Sequence, residues 1–523
     1  MKKPFLRNRK IRYGSITVVL TVLILAVTVL VNAVVSSLAN RFSWYSDMNK
    51  IGLFETTEDC YTYLDTVFSE AKEEGRAPVV EIIFCDLAVN MEEEPTQWQL
   101  YQTALSIQER FPTQIRVTCY DILSNPTSVR KYATMTDYQP TDEGESGKEI
   151  QIPIYTTSLI VVCEEYGYHE VYSLAEFFSF KGNQAENLWG YNGERKLAAG
   201  IRHAITPDRP LACLTNNHGE VYYDFEIVNL LEDAGYRVTY LDLYKYGKIP
   251  EDCSLVVTYN PTSDMVNDAQ STVSETQILE GYLQKPGNSY WLFLGNASPL
   301  LPNFESFMAE WGVDFSYHTS NGNSYRYMVQ DPSKSLTSDG YTIYGESTRS
   351  GKSGELLDGL YQHAIFKNAT AMKPADGYLS QGNGSYQKGT RTMTSLYTGG
   401  KNATAWANGK AVADADNAIL MSLTEQTVAG GSAYVGCVAS AEFATETYLQ
   451  SAVYGNSDVF CAAMEYQGME NTPIGLRIKP YEQTEISTLT TRNMLIWTLT
   501  LTLLPAVAVT TVAIIVFAKR RRA

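Results

Sequence analysis

Three kinds of motif are missing from this chain, and each absence excludes a class of protein. None of the eight cysteines belongs to a C-x-x-C pair, which excludes zinc-ribbon and thioredoxin-type redox sites. No serine or cysteine lies in a G-x-S-x-G turn, so the nucleophile of an α/β-hydrolase is absent. GESGKE (144–149) resembles a nucleotide-binding P-loop only superficially, because its spacing is too short and Glu149 replaces the magnesium-binding Ser or Thr.

Metal-binding patterns are lacking as well. Asp414, Asp416 and Glu425 have part of a calcium-loop spacing, but Ala418 and Ile419 occupy positions that require an oxygen ligand and a glycine. Four of the five histidines are not spaced as metal ligands; they are His169, His203, His318 and His363. We therefore expect no metal site and no cofactor. The cysteine pattern allows one disulfide but does not favour a dense framework.

Basic residues are outnumbered, with 41 Lys and Arg against 58 Asp and Glu and a formal net charge of −17. Such an acidic balance disfavours nucleic acid and anionic membrane surfaces as partners. Solubility alone is the simpler explanation of this charge.

Long uncharged runs occur near both ends of the chain. Residues 15–39 contain no charged side chain, and residues 494–518 are interrupted only by Pro505. Each run is long enough for a helix that crosses a bilayer, and such helices tolerate proline. A signal peptide fits the first run less well, because the apolar core is too long and no cleavage site follows. The sequence therefore predicts transmembrane helices at 15–39 and 494–518, in contact with lipid.

The flanks of these runs predict the orientation of the chain. The tails 1–14 and 519–523 are rich in Lys and Arg, which remain on the cytosolic side of a membrane. We therefore expect a cell-membrane protein with two spans, both termini in the cytosol, and a large extracytoplasmic region at 40–493.

This extracytoplasmic region is too long for one hydrophobic core. A first α/β domain is expected at 40–205, where VVEIIFC (79–85), IRVTCYD (115–121) and SLIVVC (158–163) are typical of buried strands. A helical pattern at 97–111 separates the first two strands. This alternation predicts βαβ units and a parallel sheet.

A second α/β domain is expected to begin at 206–318 and to be completed by 431–493, which also contains the juxtamembrane segment. Its predicted strands are PLACLT (210–215), YRVTYLDL (236–243), SLVVTY (254–259) and SYWLFLG (289–295). Ser274 followed by Gln277 is a helix-capping pattern. The stretch 319–430, rich in Ser, Gly, Asn, Thr and Tyr, predicts a β-rich polar insertion or lid. The expected fold class is therefore α/β, with two doubly wound domains and this insertion between the membrane helices.

TNNHGE (215–220) is the strongest candidate site. It places Asn217, His218 and Glu220 after a predicted strand, while Asn260 and Asn296 follow two others. Ligands of open α/β sheets bind at this edge, so these five residues predict a ligand crevice. A purely structural turn is the main competing interpretation, since asparagines cap helices and acidic residues stabilise helix N-termini. Acid–base catalysis by His218 and Glu220 is a third.

Segments at both ends and in the middle resemble one family. RKIRYGSITVVLTVLILAVTVLVN (9–32) with DMNKIGLFETTEDCYTYLDTV (47–67), the LACLTNNHGE motif (211–220), and YGNSDVFCAAMEY (454–466) with IGLRIKP (474–480) resemble the membrane-anchored auxiliary component of gliding-motility-type (GldG-type) ABC transport systems. Asn217 departs from the glycine common in that family; asparagine tolerates a left-handed turn next best. The stretch 319–430 has no clear counterpart.

The resemblance implies a non-catalytic accessory subunit that works with a separate ABC permease and, through it, a cytosolic ABC ATPase. Its extracytoplasmic ligand is unknown. The absence of a nucleotide-binding motif agrees, because such a chain cannot power transport alone. A standalone membrane-anchored binding or sensor protein is the alternative, and an ectoenzyme using His218 and Glu220 is a third hypothesis.

Overall fold

The computed structural model describes residues 55–141, 144–180, 188–206, 208–220, 226–267, 274–295, 298–469 and 472–481, with 496, 498–500, 507 and 511 described singly. Apart from those single residues, both predicted membrane spans lie outside the described ranges. Within the described part of the chain, no helix is long and apolar enough to cross a membrane. The fold is mixed α/β.

The residues up to Thr206 form the first group of helices and strands. A 3₁₀ turn occurs at Arg130–Tyr132 and another at Leu174–Phe177. In chain order the elements are α1 (Glu58–Glu73), β1 (Val80–Phe84), α2 (Ala88–Met91), α3 (Pro95–Arg110), β2 (Ile115–Cys119), β3 (Thr134–Thr141), β4 (Gly144–Gln151), β5 (Leu159–Cys163), β6 (Tyr168–Tyr172), β7 (Phe178–Phe180), β8 (Leu188–Tyr191) and α4 (Gly193–Ile205).

The N-terminal sheet has the strand order β2-β1-β5-β6 and is not parallel throughout. β1 runs parallel to β2 but antiparallel to β5, so the predicted parallel sheet is wrong for β5. After β2 the chain forms the β3–β4 hairpin rather than an α-helix, and Leu159 pairs with Phe84 at the end of β1. A parallel strand would need a long crossover to the other end of the sheet.

The two faces of the N-terminal sheet are covered differently. Alternate residues of β1 point to opposite faces, with Ile82 on one side and Ile83 on the other. Helices α1, α3 and α4 pack against the Ile82 face through Leu64, Leu100 and Leu197 among others. Irregular chain around Ile122 and Tyr132 covers the opposite face. With its α-helices on one face, this sheet is not doubly wound, and that prediction is also wrong for it.

The second group of elements begins after Pro210. A third 3₁₀ turn lies at Ala441–Ala444. The elements up to Phe315, with those that follow Gly430, are β9 (Leu211–Thr215), α5 (Glu226–Asp233), β10 (Arg237–Leu241), α6 (Leu243–Tyr246), β11 (Cys253–Tyr259), α7 (Glu275–Tyr282), β12 (Ser289–Phe293), α8 (Pro302–Glu310), β13 (Val313–Phe315), and β26 (Gly431–Val438), α10 (Glu446–Leu449), α11 (Asn456–Tyr466) and β27 (Lys479–Pro480). Strands β14 to β25 and helix α9 come between these two sets in the sequence and are described separately.

The central sheet has parallel strands in the order β10-β9-β11-β12-β26. Helices α5 and α11 pack on the face of Ala212 and Leu214, and α6, α7 and α8 pack on the face of Leu211 and Cys213. This part of the chain therefore has helices on both faces, as in doubly wound sheets. Each of the eight cysteines is a free thiol.

The predicted helix signals of this region match the structure. Ser274 caps α7 by accepting a hydrogen bond from the backbone N–H of Gln277 at 3.4 Å. Helix α5 is followed by Gly235, whose φ of 99° is accessible to glycine at no steric cost. These two signals therefore set the end of α5 and the beginning of α7.

The stretch between Phe315 and Gly430 is rich in short strands. Its two-residue hairpin loops Asn321–Gly322 and Asn408–Gly409 have positive φ at both residues, which suits Asn–Gly. The elements are β14 (Tyr317–Ser320), β15 (Asn323–Arg326), β16 (Met328–Gln330), β17 (Thr342–Tyr344), α9 (Lys352–Leu356), β18 (Ile365–Lys367), β19 (Met372–Pro374), β20 (Leu379–Gly382), β21 (Ser385–Lys388), β22 (Arg391–Thr398), β23 (Thr404–Ala407), β24 (Lys410–Asp414) and β25 (Ile419–Val428).

Part of this stretch extends the central sheet instead of forming a separate lid. From β26 the sheet continues through β25, β22, β21 and β20, and each of these neighbouring pairs is antiparallel. The central sheet thus changes from parallel to antiparallel at β26.

Gly436 allows β26 to pack beside the buried indole of Trp291. The two residues are direct partners in neighbouring strands, and a Cβ at position 436 would lie 2.3 Å from the ring. We expect Gly436→Ala to lower the free energy of unfolding by about 1–3 kcal/mol, as overpacking does. Urea denaturation followed by tryptophan fluorescence measures this change.

Gly281→Ala is the matched control, because a Cβ at this position of α7 meets nothing within 4 Å. It should raise the free energy of unfolding by about 0.5–1 kcal/mol, since alanine favours helix over glycine. If Gly436→Ala were as stable as the wild type, steric contact with Trp291 would not constrain this strand pair.

Candidate functional site

Four of the five predicted site residues, Asn217, His218, Glu220 and Asn260, lie at the topological switch point of the central sheet. The chain passes from β9 to β10 on one side and then to β11 on the other, so the switch point lies between β9 and β11. Asn217 and His218 follow β9, and Asn260 follows β11. Asn296 follows β12 but lies outside the described residues. The described residues of the predicted site thus lie at one edge of the sheet, and binding of a ligand there stays a prediction.

His218 is buried between two carboxylates. Its Nδ1 atom lies 3.0 Å from Glu220 Oε1, and its Nε2 atom lies 3.1 Å from Glu275 Oε1. The side chains of Glu220 and Glu275 are 1% and 0% exposed. The imidazole also packs edge-on against Phe304, with ring centroids 5.0 Å apart. Both ring nitrogens therefore have a carboxylate partner within the fold.

The electrostatics of this cluster favour a charged imidazolium. Burial alone would lower the pKa of His218, but hydrogen bonds and charge contacts with Glu220 and Glu275 raise it to about 9. Burial raises the pKa of each of these carboxyls, yet His218 and neighbouring donors outweigh it and hold both pKa values below their ordinary range. At neutral pH the cluster is thus a buried cation with two anions.

The His-Gly-Glu motif is explained by the local backbone. Gly219 has a φ of 65°, and a Cβ there would lie 2.3 Å from Thr262 Oγ1, so a glycine is required. The carbonyl of His218 accepts hydrogen bonds from the N–H groups of Thr262 and Ser263 at 2.9 and 2.8 Å. Glu220 in turn accepts from the N–H of His218 at 2.8 Å. The motif thereby connects the loops after β9 and β11.

Asn217 has a different role from the one that the sequence suggested. It does not have a positive φ, so it does not replace a glycine in a left-handed turn. Its side chain bonds instead: Nδ2 donates to Glu275 at 2.6 Å, and Oδ1 accepts from the N–H of Leu243 at 3.3 Å. An asparagine is useful here because its amide both donates and accepts.

Of the two asparagines of the site that the structure describes, Asn260 and not Asn217 has a left-handed backbone conformation, with a φ of 49°. Its N–H donates to the carbonyl of Phe293 at 2.8 Å, and its Oδ1 accepts from Ser298 Oγ at 2.7 Å. The amide oxygen of Asn260 is therefore already hydrogen-bonded within the fold.

Glu275 was missed by the sequence analysis. It is the first residue of α7 and also accepts from the N–H of Val266 at 2.6 Å. It lies 57 positions from His218, so no local pattern connects the two. The signal that was present, an acidic residue directly after the Ser274 cap, indicates only a helix N-terminus.

A second buried cluster joins the two ends of the described chain. The ammonium of Lys479, on β27, contacts Glu194 on α4 and the backbone carbonyl of Glu55. Thr57, the N-cap of α1, donates its hydroxyl to the other oxygen of Glu194 at 2.6 Å. The side chains of Lys479 and Glu194 are 3% and 6% exposed. We name this group the Lys479 clasp; it comprises Lys479, Glu194, Thr57 and Glu55.

Among the described residues, no group of three or more His, Cys, Asp or Glu side chains is arranged to hold a metal ion. No protein-family model matches the chain, and no curated protein matches it. A solved structure, the mmIFT52 N-terminal domain, is similar at 10% identity over 49% of this chain and 96% of its own. The TM-score of 0.35 is too low to support a conclusion about fold or function.

His218 can be tested through the pH dependence of stability. Its folded pKa of about 9 exceeds the unfolded value of about 6.5, so its contribution is complete below pH 6.5 and is lost as the pH rises through 9. At neutral pH, His218→Ala leaves two buried carboxylates unpaired and should cost about 3–5 kcal/mol. Urea denaturation between pH 6 and pH 10 measures both effects.

The half-buried His318, on β14, provides the control. His318→Ala should cost about 1 kcal/mol or less, a typical value for a residue outside a buried ionic network. The difference between wild type and His218→Ala should narrow above pH 9. A difference that stays constant across this range would contradict a charged His218.

Proposed function

We propose that this protein is a non-catalytic extracytoplasmic accessory subunit of an ABC transport complex, anchored in the cell membrane at 15–39 and 494–518. In this proposal it works with a separate permease, which its membrane helices contact, and with a cytosolic ATPase bound to that permease. The observation that supports it best is the Lys479 clasp, together with the resemblance in the sequence.

The Lys479 clasp supports anchoring at both ends. Glu55 is the first described residue after the predicted first span, and Lys479 precedes the predicted second span. Domain ends are usually loose unless they are fixed by buried contacts. Here a buried ion pair holds both ends against α4, so the chain enters and leaves the fold at one place. Such an arrangement suits two membrane helices that carry one extracytoplasmic region.

The His218 cluster supports a non-catalytic role. A general base needs a nitrogen that can accept a proton from a substrate within hydrogen-bond distance. Both nitrogens of His218 already face carboxylates, and its side chain is 2% exposed. The contact with Glu275 thus weakens the hypothesis of an ectoenzyme based on His218 and Glu220.

Affinity purification of the full-length protein from its native membranes in mild detergent tests the proposal. We expect mass spectrometry to find a multi-span permease and an ABC ATPase in stoichiometric amounts. Recovery of the protein alone, under conditions that preserve a known ABC complex, would contradict the proposal and favour a standalone binding or sensor protein.

A variant of the Lys479 clasp tests whether the clasp contributes to assembly with the permease and the ATPase. Lys479→Met removes the ammonium that holds the two chain ends, so the recovery of permease and ATPase should fall. Lys401→Met, at an exposed position, is the matched control and should leave recovery unchanged. Equal recovery with both variants would show that the clasp does not contribute to assembly.

A further inference from the structure

Two neighbouring cavities lie where helix α4 meets α5. The first, which we name the His203 cavity, has a volume of about 330 Å³ and is lined by residues of β6, α4, α5 and β10, including Tyr172, His203 and Tyr236. The second, the Gln450 cavity, has a volume of about 260 Å³ and includes Asn192 and Gln450. Both are lined by Glu176, Lys196 and Asp233, so they are adjacent. Neither includes the His218 cluster.

His203 is the most informative residue of these cavities. It is 5% exposed, and its Nδ1 lies 2.9 Å from Glu170 Oε2. Burial lowers the pKa of His203 despite this carboxylate, so the neutral ring carries its proton on Nδ1. Its Nε2 atom is then a hydrogen-bond acceptor, and within the described part of the chain it has no partner.

The Gln450 cavity has unpartnered acceptors too. Asn192 Oδ1 and Gln450 Oε1 are buried atoms without a hydrogen-bond partner among the described residues. An unpaired buried polar atom costs about 1–3 kcal/mol, so such atoms are rare in folded proteins. Three of these atoms belong to residues that line two adjacent cavities, where one ligand with N–H donors would bond to them.

The cations around these cavities are already neutralised. Asp233 lies 2.7 Å from Lys196 Nζ and 2.8 Å from Arg195 Nε, and Arg209 lies 3.0 Å from Glu170. The two cavities together are lined by more carboxylates (Glu170, Glu176, Glu226, Glu232 and Asp233) than cations (Arg195, Lys196, Arg209 and Arg237). Burial raises the pKa of Glu232 to about 7, and a bound cation would favour its ionised form. The surplus carboxylate and the free acceptors both favour a ligand that brings positive charge and N–H donors. The surplus carboxylate would repel an anionic ligand, and the free acceptors would find no N–H donor on it.

We infer that the His203 and Gln450 cavities form one binding site for a small organic amine. Its ammonium groups donate hydrogen bonds to His203 Nε2 and Gln450 Oε1, and the surrounding carboxylates balance its charge. The combined site is of the size that proteins use for small molecules.

Helix α4 connects the inferred amine site with the proposed function. The same helix carries Glu194 of the Lys479 clasp at its start and His203 near its end. A ligand in the cavities therefore contacts the helix that holds both chain ends. This connection to the membrane rests on the proposed function, whereas binding of the amine does not.

Isothermal titration calorimetry on the full-length protein in detergent tests the inference, with spermidine as the probe and sorbitol as an uncharged comparison. We expect saturable binding of spermidine and none of sorbitol. Gln450→Leu and His203→Phe each remove one acceptor for a charged donor and should weaken binding about tenfold or more. His318→Phe, outside both cavities, should bind as the wild type does.

If His203→Phe does not fold, Gln450→Leu alone tests whether an acceptor in the cavities contributes to amine binding. Replacing an unpaired buried acceptor with an apolar group of similar size should leave the melting temperature unchanged or higher. The inference is overturned if spermidine does not bind saturably, if sorbitol binds equally well, or if Gln450→Leu binds as tightly as the wild type. Copurified transport subunits without amine binding would refute the site alone, and the reverse result would refute the proposed function alone.

Discussion

The buried contact between Lys479 and Glu194 is the constraint on which the N-terminal half of the structure depends. These residues lie 285 positions apart, and their ion pair brings β27 against α4 and the start of α1. A buried ion pair contributes little net stability over an apolar contact of the same shape, but loss of one partner leaves an uncompensated charge. The pair therefore specifies one arrangement of the chain ends and excludes others.

Helix α4 connects this constraint with the interior of the protein. Its first turn supplies Glu194 to the clasp and Lys196 to Asp233 on α5, and its last turns supply His203 to Glu170 on β6. A hydrogen bond from His203 thus joins α4 to the N-terminal sheet, and ion pairs join it to α5 beside the central sheet and to the C-terminal segment. A change in the position of α4 would alter all three contacts together. In our proposals, α4 therefore connects the amine site with the membrane helices.

The switch point of the central sheet is used differently from what its topology suggests. In most open α/β sheets this edge receives a ligand. Here His218, Glu220 and Glu275 fill it with a buried ionic network that fixes the loops after β9 and β11. Three unpartnered polar atoms of the described residues, those of His203, Asn192 and Gln450, instead belong to residues that line the cavities beside α4. The position of His218 and Glu220 at the switch point suggested a ligand site. Their hydrogen-bond partners indicate instead that the cluster connects two loops of the fold.

Much of the fold could be predicted because its signals are local. The strands β9 to β12 appear as short β-branched runs, and the Ser274 cap and Gly235 mark helix ends. The direction of β5 could not be predicted, because it depends on whether the preceding connection contains a helix. The β-rich character of 319–430 was predicted, but its extension of the central sheet beyond β26 was missed, because no local pattern shows which strands pair. At the site, His218 and Glu220 were found from neighbouring residues, whereas Glu275 and the partner of Lys479 are distant contacts that no sequence period encodes.

The most direct test of the central claim is the side of the membrane on which each part of the chain lies. Single cysteines at Lys3, Tyr361 and Arg522 can be probed with a membrane-impermeant maleimide in intact and permeabilised cells, with the parent protein as the background control. Tyr361, which is 82% exposed, belongs to the region proposed to be extracytoplasmic. The account predicts that Tyr361→Cys reacts in intact cells and that Lys3→Cys and Arg522→Cys react only after permeabilisation. Labelling of either tail in intact cells, or protection of Tyr361→Cys, would contradict an extracytoplasmic region anchored at both ends.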